Sequence, residues 1–187
     1  MKLLNLKFGI IVVSLPLVVF GLSSKDVSYP IKDGDKAPTS AACTSAQNEW
    51  IAAYKNDETG VQEYNTAFSN YQQAESQSGI LKNTQYTKAR TKLLNAGDKA
   101  SMLEHRLRRE TNKTKFEKLY NKLKKQWSIE ATELQVLLSI SKQHPELLAA
   151  GKGLDKAIVH RNLQTQAFAR ASQKIHSIQP DCIIPSI

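Results

Sequence analysis

The sequence predicts an all-α fold, an elongated up-down-up-down four-helix bundle of coiled-coil-like character, with the two ends of the bundle joined by one disulfide. Three observations predict it. Apolar residues recur at steps of three and four in four separate segments, the period of a helix with one buried face. The segments are divided by turn residues or polar runs. Cys43 opens the first stripe and Cys182 closes the last, and they are the chain's two cysteines.

The first stripe is Trp50, Tyr54, Val61, Tyr64, Phe68 and Tyr71, with Cys43 one heptad before Trp50. Thr39 or Ser40 is placed to cap this helix, because a side-chain hydroxyl accepts from an unpaired first-turn N–H. Gly60 costs the helix about 1 kcal/mol relative to Ala, but the stripe keeps its phase across it. Ser78 and Gly79 end the helix, Gly79 by taking the left-handed conformation. The second stripe, Tyr86, Ala89, Leu93, Ala96, Ala100, Leu103 and Leu107, predicts a helix from near Thr84 that reads through the Asn95 to Asp98 run.

Arg108 to Lys115 is entirely polar and belongs to a connection. Thr114 and Glu117 have the spacing of a capping box, which places the start of the third helix at Thr114. That helix carries Phe116, Tyr120, Leu123, Trp127, Ala131, Leu134 and Leu138, and ends near Lys142, before the His144-Pro145 step. Pro145 suits the first turn of the next helix. The fourth stripe is Leu147, Ala150, Leu154, Ala157, Arg161, Gln164, Phe168, Ala171, Ile175 and Ile178. Gly151 and Gly153 leave a start near Leu154 as the alternative. Pro180 stops the helix, and Cys182 lies four residues past Ile178.

A bond between Cys43 and Cys182 requires the start of helix one and the end of helix four to lie within about 6 Å. An antiparallel run of helices meets that requirement only when their number is even. Four helices of this length give a bundle about 40 to 55 Å long.

The chain divides into a signal peptide at 1–23, a flexible tether at 24–38, the helical domain at 39–182 and a short tail at 183–187. Lys2 and Lys7, the apolar run Phe8 to Leu22, and then Ser23 and Ser24 form the three-part layout of a secretory leader. The run is short for a spanning helix, which wants roughly 20 residues, and it contains Pro16. A secreted or periplasmic location follows, and an oxidising compartment agrees with a disulfide. The alternative is a membrane-anchored protein facing outside, in which the apolar run is retained and the helices form a coiled-coil spacer. Pro30, Gly34 and Pro38, with alternating Asp and Lys and no apolar period, make 24–38 a tether.

The formal net charge is +9, and it is concentrated. Between residues 106 and 125 there are nine cations, Arg106, Arg108, Arg109, Lys113, Lys115, Lys118, Lys122, Lys124 and Lys125, against Glu110 and Glu117. Removal of the leader leaves the remainder of the chain neutral. This basic hairpin is the candidate contact for an anionic polymer, a lipid surface or an acidic protein. Phe116 and Tyr120 fall on the core stripe and are withheld from base stacking, which argues against sequence-specific nucleic-acid reading.

No cofactor, metal or catalytic site is expected. The sequence lacks paired Glu-x-x-His motifs, a Cys-x-x-Cys-His, a phosphate loop, a nucleophile elbow and a dinucleotide fingerprint. His105, His144, His160 and His176 are scattered and read as surface residues, Met102 as an edge-of-core residue, and Glu130 with Glu133 as a solvated pair. Asn112-Lys113-Thr114 has the glycosylation spacing. The hydroxyls of Tyr54, Tyr64 and Tyr71, facing Arg161 and Gln164, read as a polar layer within the core, with a ligand groove as the other reading. The expected protein is an exported, non-enzymatic binding protein, a monomer or weak homo-oligomer.

Overall fold

The computed structural model describes residues 41–178 and 182–185. The predicted leader, the tether, the Thr39 or Ser40 cap and the Pro180 stop lie outside the described residues. Four α-helices account for nearly all of those described: α1 (Ala41–Ser78), α2 (Thr84–Arg109), α3 (Lys113–Ile140) and α4 (Pro145–Ile178). There is no strand among the described residues, and no described helix is long and apolar enough to cross a membrane.

Each connection follows from local chemistry. α1 ends where expected, at Ser78, and Gly79 takes φ 68°, a conformation that costs Gly little and other residues much. A single 3-10 turn at Ile80–Lys82 then buries Ile80 and leads to Asn83. The Asn83 side chain caps α2 by accepting from the backbone N–H groups of Gln85 and Tyr86. The cap of α3 is Asn112, whose Oδ1 accepts from Lys115 N at 3.0 Å. This corrects the expected Thr114 start: the amide side chain two residues earlier already serves the orphan donor, and Thr114 is an exposed residue inside the helix. α3 passes into a 3-10 turn at Ser141–Gln143, and α4 begins at Pro145. Gly151 and Gly153 therefore lie within α4.

The helices meet in a consistent register. Residues early in α1 face residues late in α4: Trp50 Nε1 donates to Ser172 Oγ at 2.9 Å, Asp57 accepts from Thr165 Oγ1, and Glu63 meets His160. Asp57 and Glu75 of α1 pair with Arg108 and Arg90 of α2. Glu104 and Lys92 of α2 meet Trp127 and Glu133 of α3, and Glu130 and Gln135 of α3 meet Arg161 and Asp155 of α4. Cys43 and Cys182 are disulfide-bonded with their Cα atoms 5.3 Å apart, closing a sequence separation of 139.

The core comes in two apolar blocks. One holds Cys43, Ala46, Trp50, Leu107, Phe116, Leu123, Trp127, Phe168, Ile175 and Cys182. The other holds Tyr71, Ile80, Tyr86, Leu93, Leu134, Leu137, Leu147, Leu154 and Ile158. Between the blocks lie buried polar or charged side chains, Asp57 in α1, Glu130 in α3 and Arg161 and Thr165 in α4, while α2 carries Ala96 and Gly97 there and brings in Glu104 further along the helix. Phe116 and Leu107, which flank the α2–α3 connection, share a block with the disulfide.

Candidate functional site: a buried charged layer and an exposed basic turn

The buried layer is made of side chains that continue the apolar heptads without being apolar. In α1, Asp57 lies seven residues from Trp50 and seven from Tyr64; in α3, Glu130 lies seven from Leu123 and seven from Leu137. In α4, Arg161 continues Leu147 and Leu154 toward Phe168 and Ile175. Helical geometry therefore turns them inward with their apolar neighbours, where a charge survives only if it is paired.

Pairing is supplied across all four helices. Asp57, with no exposed surface, accepts from Arg108 Nε at 2.7 Å and from Thr165 Oγ1 at 2.6 Å. Arg161, 1% exposed, donates from Nη2 to Glu130, lies 3.4 Å from Glu104 through Nε, and stacks over the Tyr64 ring at 4.2 Å. Glu104 also accepts from Trp127 Nε1 at 3.3 Å. Space for the layer comes from glycine. A Cβ on Gly60 would stand 3.2 Å from the Arg161 Cα, and one on Gly97 would stand 3.1 Å from the Tyr64 hydroxyl. Gly60 thus marks close approach of α1 and α4.

Three carboxylates share this layer with two guanidiniums. Burial pushes the Glu104 carboxyl up, with the Arg161 charge pulling the other way and Asp57 adding to the rise. For Arg161, burial opposes the charge, but Glu104 and Glu130 outweigh it and the net direction is up. Burial, followed by the Glu130 charge, also raises the Tyr64 phenol.

A second polar cluster ties α1 to the start of α2. The Tyr71 and Tyr86 hydroxyls bond to each other, Tyr86 donates to Glu75 at 2.9 Å, and Arg90 Nε donates to both Glu75 oxygens at 2.7 and 2.8 Å. Burial pushes the Tyr71 phenol up to about 12. These contacts account for Tyr71 and the Arg161 stack for Tyr64, whereas Tyr54 stacks on Trp50 with ring centroids 5.5 Å apart, and Gln164 bonds to His160 rather than joining the layer.

At the α2–α3 connection the same residue types are arranged differently. Arg106, Arg108 and Arg109 occupy the last turn of α2, where cations complement the helix dipole. The turn is locked locally: Asn112 N donates to Glu110 Oε1 at 2.9 Å, and Glu110 N donates to Leu107 O. α3 then begins with no acid in its first turn and with Lys113 and Lys115 at its positive end, the arrangement the dipole disfavours. His105, Arg106, Arg109 and Glu110 of α2 and Lys115, Lys118 and Leu119 of α3 line a pocket of about 470 Å³.

The nine predicted cations therefore separate. Arg106, Arg109, Lys115 and Lys118 come together around the pocket. Lys113, Lys122 and Lys125 are exposed outside it, and Lys124 lies over the Tyr120 ring at 5.0 Å. Arg108 leaves the set: it is turned inward onto Asp57, with its side chain 17% exposed. Three further expectations change. Glu130 is buried in the ionic layer rather than solvated, and Glu133 pairs with Lys92. His176 is buried edge-on to Phe116, with ring centroids 5.5 Å apart, rather than at the surface. Met102 is 59% exposed rather than at the core edge.

Among the described residues no group of three or more His, Cys, Asp or Glu side chains is disposed to hold a metal ion. Compared with protein-family models, with curated proteins and with solved structures, the chain matches none.

Proposed function

We propose that the protein is an exported, non-enzymatic binding protein, whose basic α2–α3 turn contacts an anionic partner. The observation that carries this reading is the pocket in which Arg106 and Arg109 from one helix face Lys115 and Lys118 from the next, with Glu110 as the one acid of the lining. Lysines at the positive end of α3 weaken that helix, so their presence is better explained by a partner that supplies negative charge. Inward positions are taken up by packing and by internal ion pairs, which favours binding over catalysis.

The cross-helix registers are read as antiparallel throughout, giving an elongated up-down-up-down bundle with coiled-coil-like heptads. In that arrangement the disulfide and the basic turn share one end. Export is supported by the leader-like first 23 residues and by a disulfide, which persists in oxidising compartments. The heptads that run through all four helices favour one second reading, a spacer held to a membrane by an uncleaved Phe8 to Leu22 segment. N-terminal sequencing of the exported protein decides between them: a start after residue 23 supports the first reading, and an intact Met1 the second.

The binding reading is tested on heparin resin and on anionic liposomes. Substitution of Arg106, Arg109, Lys115 and Lys118 by Gln is expected to abolish retention at 0.15 M salt. Retention unchanged by the four substitutions sinks the assignment of the site.

A further inference from the structure

We propose that the partner of the basic turn is a linear polyanionic glycan, a chain bearing sulfate or carboxylate groups at regular intervals, laid along α3 with one charged group held in the α2–α3 pocket. The inference rests on the binding reading above and names its ligand. Lys115, Lys118, Lys122 and Lys125 are all exposed and stand at steps of three, four and three on α3, which puts them on one face of the helix. At the helical rise they form a row about 15 Å long. The first two also line the pocket, so the row begins inside it. Arg106 and Arg109 supply the opposite wall, and their planar guanidiniums suit the paired oxygens of a sulfate or carboxylate.

The geometry selects against the other anionic partners. A flat bilayer does not reach both walls of a concavity between two helices, and a single lipid headgroup in the pocket leaves Lys122 and Lys125 unused. Single-stranded nucleic acid is bound by stacking bases on exposed aromatic rings, but Phe116 is 1% exposed and the Tyr120 ring is covered by Lys124. A protein partner calls for an apolar, aromatic-rich centre, and the lining offers Leu119 alone. A hydrated, flexible chain of repeated charges needs neither rings nor an apolar centre.

The test uses the full disulfide-bonded protein and isothermal titration with size-fractionated heparin oligosaccharides, phosphatidylserine vesicles and a random single-stranded oligonucleotide. Affinity for the oligosaccharides is expected to rise with chain length until the fragment spans about 15 Å and then to level off. Lys115, Lys118, Lys122 and Lys125 replaced together by Gln is expected to lose about tenfold or more in affinity and to flatten the salt dependence by about one unit of log–log slope per lysine that had been engaged. Lys88, Lys142, Lys152 and Lys156 replaced by Gln makes the same change in net charge elsewhere and is expected to stay within about twofold. Circular dichroism and thermal melting confirm that both variants are folded. Equal loss in the two variants, affinity independent of chain length, or equal binding of the oligonucleotide overturns the inference. Vesicle binding without oligosaccharide binding overturns it while leaving the binding reading in place, and failure of every probe removes both.

Discussion

Arg108 and Arg109 are neighbours in the sequence and in the last turn of α2, yet they belong to two regions with opposite electrostatic logic. Arg108 turns inward and closes on Asp57, a carboxylate with no exposed surface. Arg109 turns outward into a pocket whose other cations are Arg106, Lys115 and Lys118. In the buried layer each carboxylate faces a guanidinium within the molecule, with Glu104 and Glu130 sharing Arg161. At the basic turn, cations gather with little acid to answer them. A charge run in a sequence therefore mixes side chains that hold the fold with side chains left available, and the 100° step of the helix sorts them.

The sharpest way to separate the two regions is to release the apolar block that holds the disulfide and flanks the basic turn. Cys43→Ser with Cys182→Ser removes a cross-link over 139 residues of sequence separation, for which chain entropy alone predicts a loss of about 4 to 5 kcal/mol. The urea midpoint should fall accordingly. Hydrogen exchange should rise at Cys43 to Trp50 and at Ser172 to Ile178 well before it rises around Gly60 and Tyr64. Uniform loss of protection along α1 shows that the charged layer is not an independent brace.

Breaking that layer is next in size. Arg161→Met leaves Glu130 and Glu104 buried without their cation, a change worth about 3 to 5 kcal/mol. Adding Glu130→Gln to Arg161→Met should recover part of the loss, because the stranded charge is then gone. Equal stability of Arg161→Met and the parent in urea refutes the role given to Arg161.

How much of this was legible in the residues depended on which side chains the period was allowed to include. Four helices, their approximate ends, the turn at Gly79, the start at Pro145 and the Cys43–Cys182 bond followed from apolar spacing and turn chemistry, and all are present. The tyrosine stripe and Arg161 already pointed to polar groups in the core. Asp57 and Glu130 escape any reading that equates charge with the surface, although each stands seven residues from an apolar core position on both sides. Arg108 reads as outward for the same reason. Its inward direction depends on Asp57, 51 residues away, and no local signal in α2 carries that information. Thr114 with Glu117 shows a two-residue capping pattern, whereas Asn112 caps α3 alone, with no paired residue to mark it. The pocket was not readable at all, since it depends on how two helices meet.

The burial of Glu104 within the layer is tested by pH. Burial raises the Glu104 carboxyl above its ordinary value of 4.5, so between the unfolded and folded values the native state binds the extra proton. Stability from this group is full at acid pH and is lost as pH rises through the folded value. Glu104→Gln cannot ionise but keeps an acceptor for Trp127. Its stability relative to the parent should therefore increase as pH is raised from 4.5 toward neutrality, read as the difference between two series of urea melts. A difference that is flat or falls with pH contradicts the rise that burial gives the Glu104 carboxyl.

The smallest effect on stability comes from the residue beside Arg108, and the contrast between the two is the most direct test. Arg108→Gln strands Asp57 in the core and should cost about 2 to 3 kcal/mol, as breaking a largely buried ion pair does. Arg109→Gln removes an exposed cation that forms no ion pair among the described residues, and such substitutions stay within about 0.5 kcal/mol. For binding, the order reverses: retention on heparin resin should weaken with Arg109→Gln and hold with Arg108→Gln at temperatures where both are folded. Both losses appearing in one variant would mean that the last turn of α2 acts as a unit and that helical phase does not separate the two roles. Independent losses would show that one turn of helix serves the fold through one face and a partner through the other.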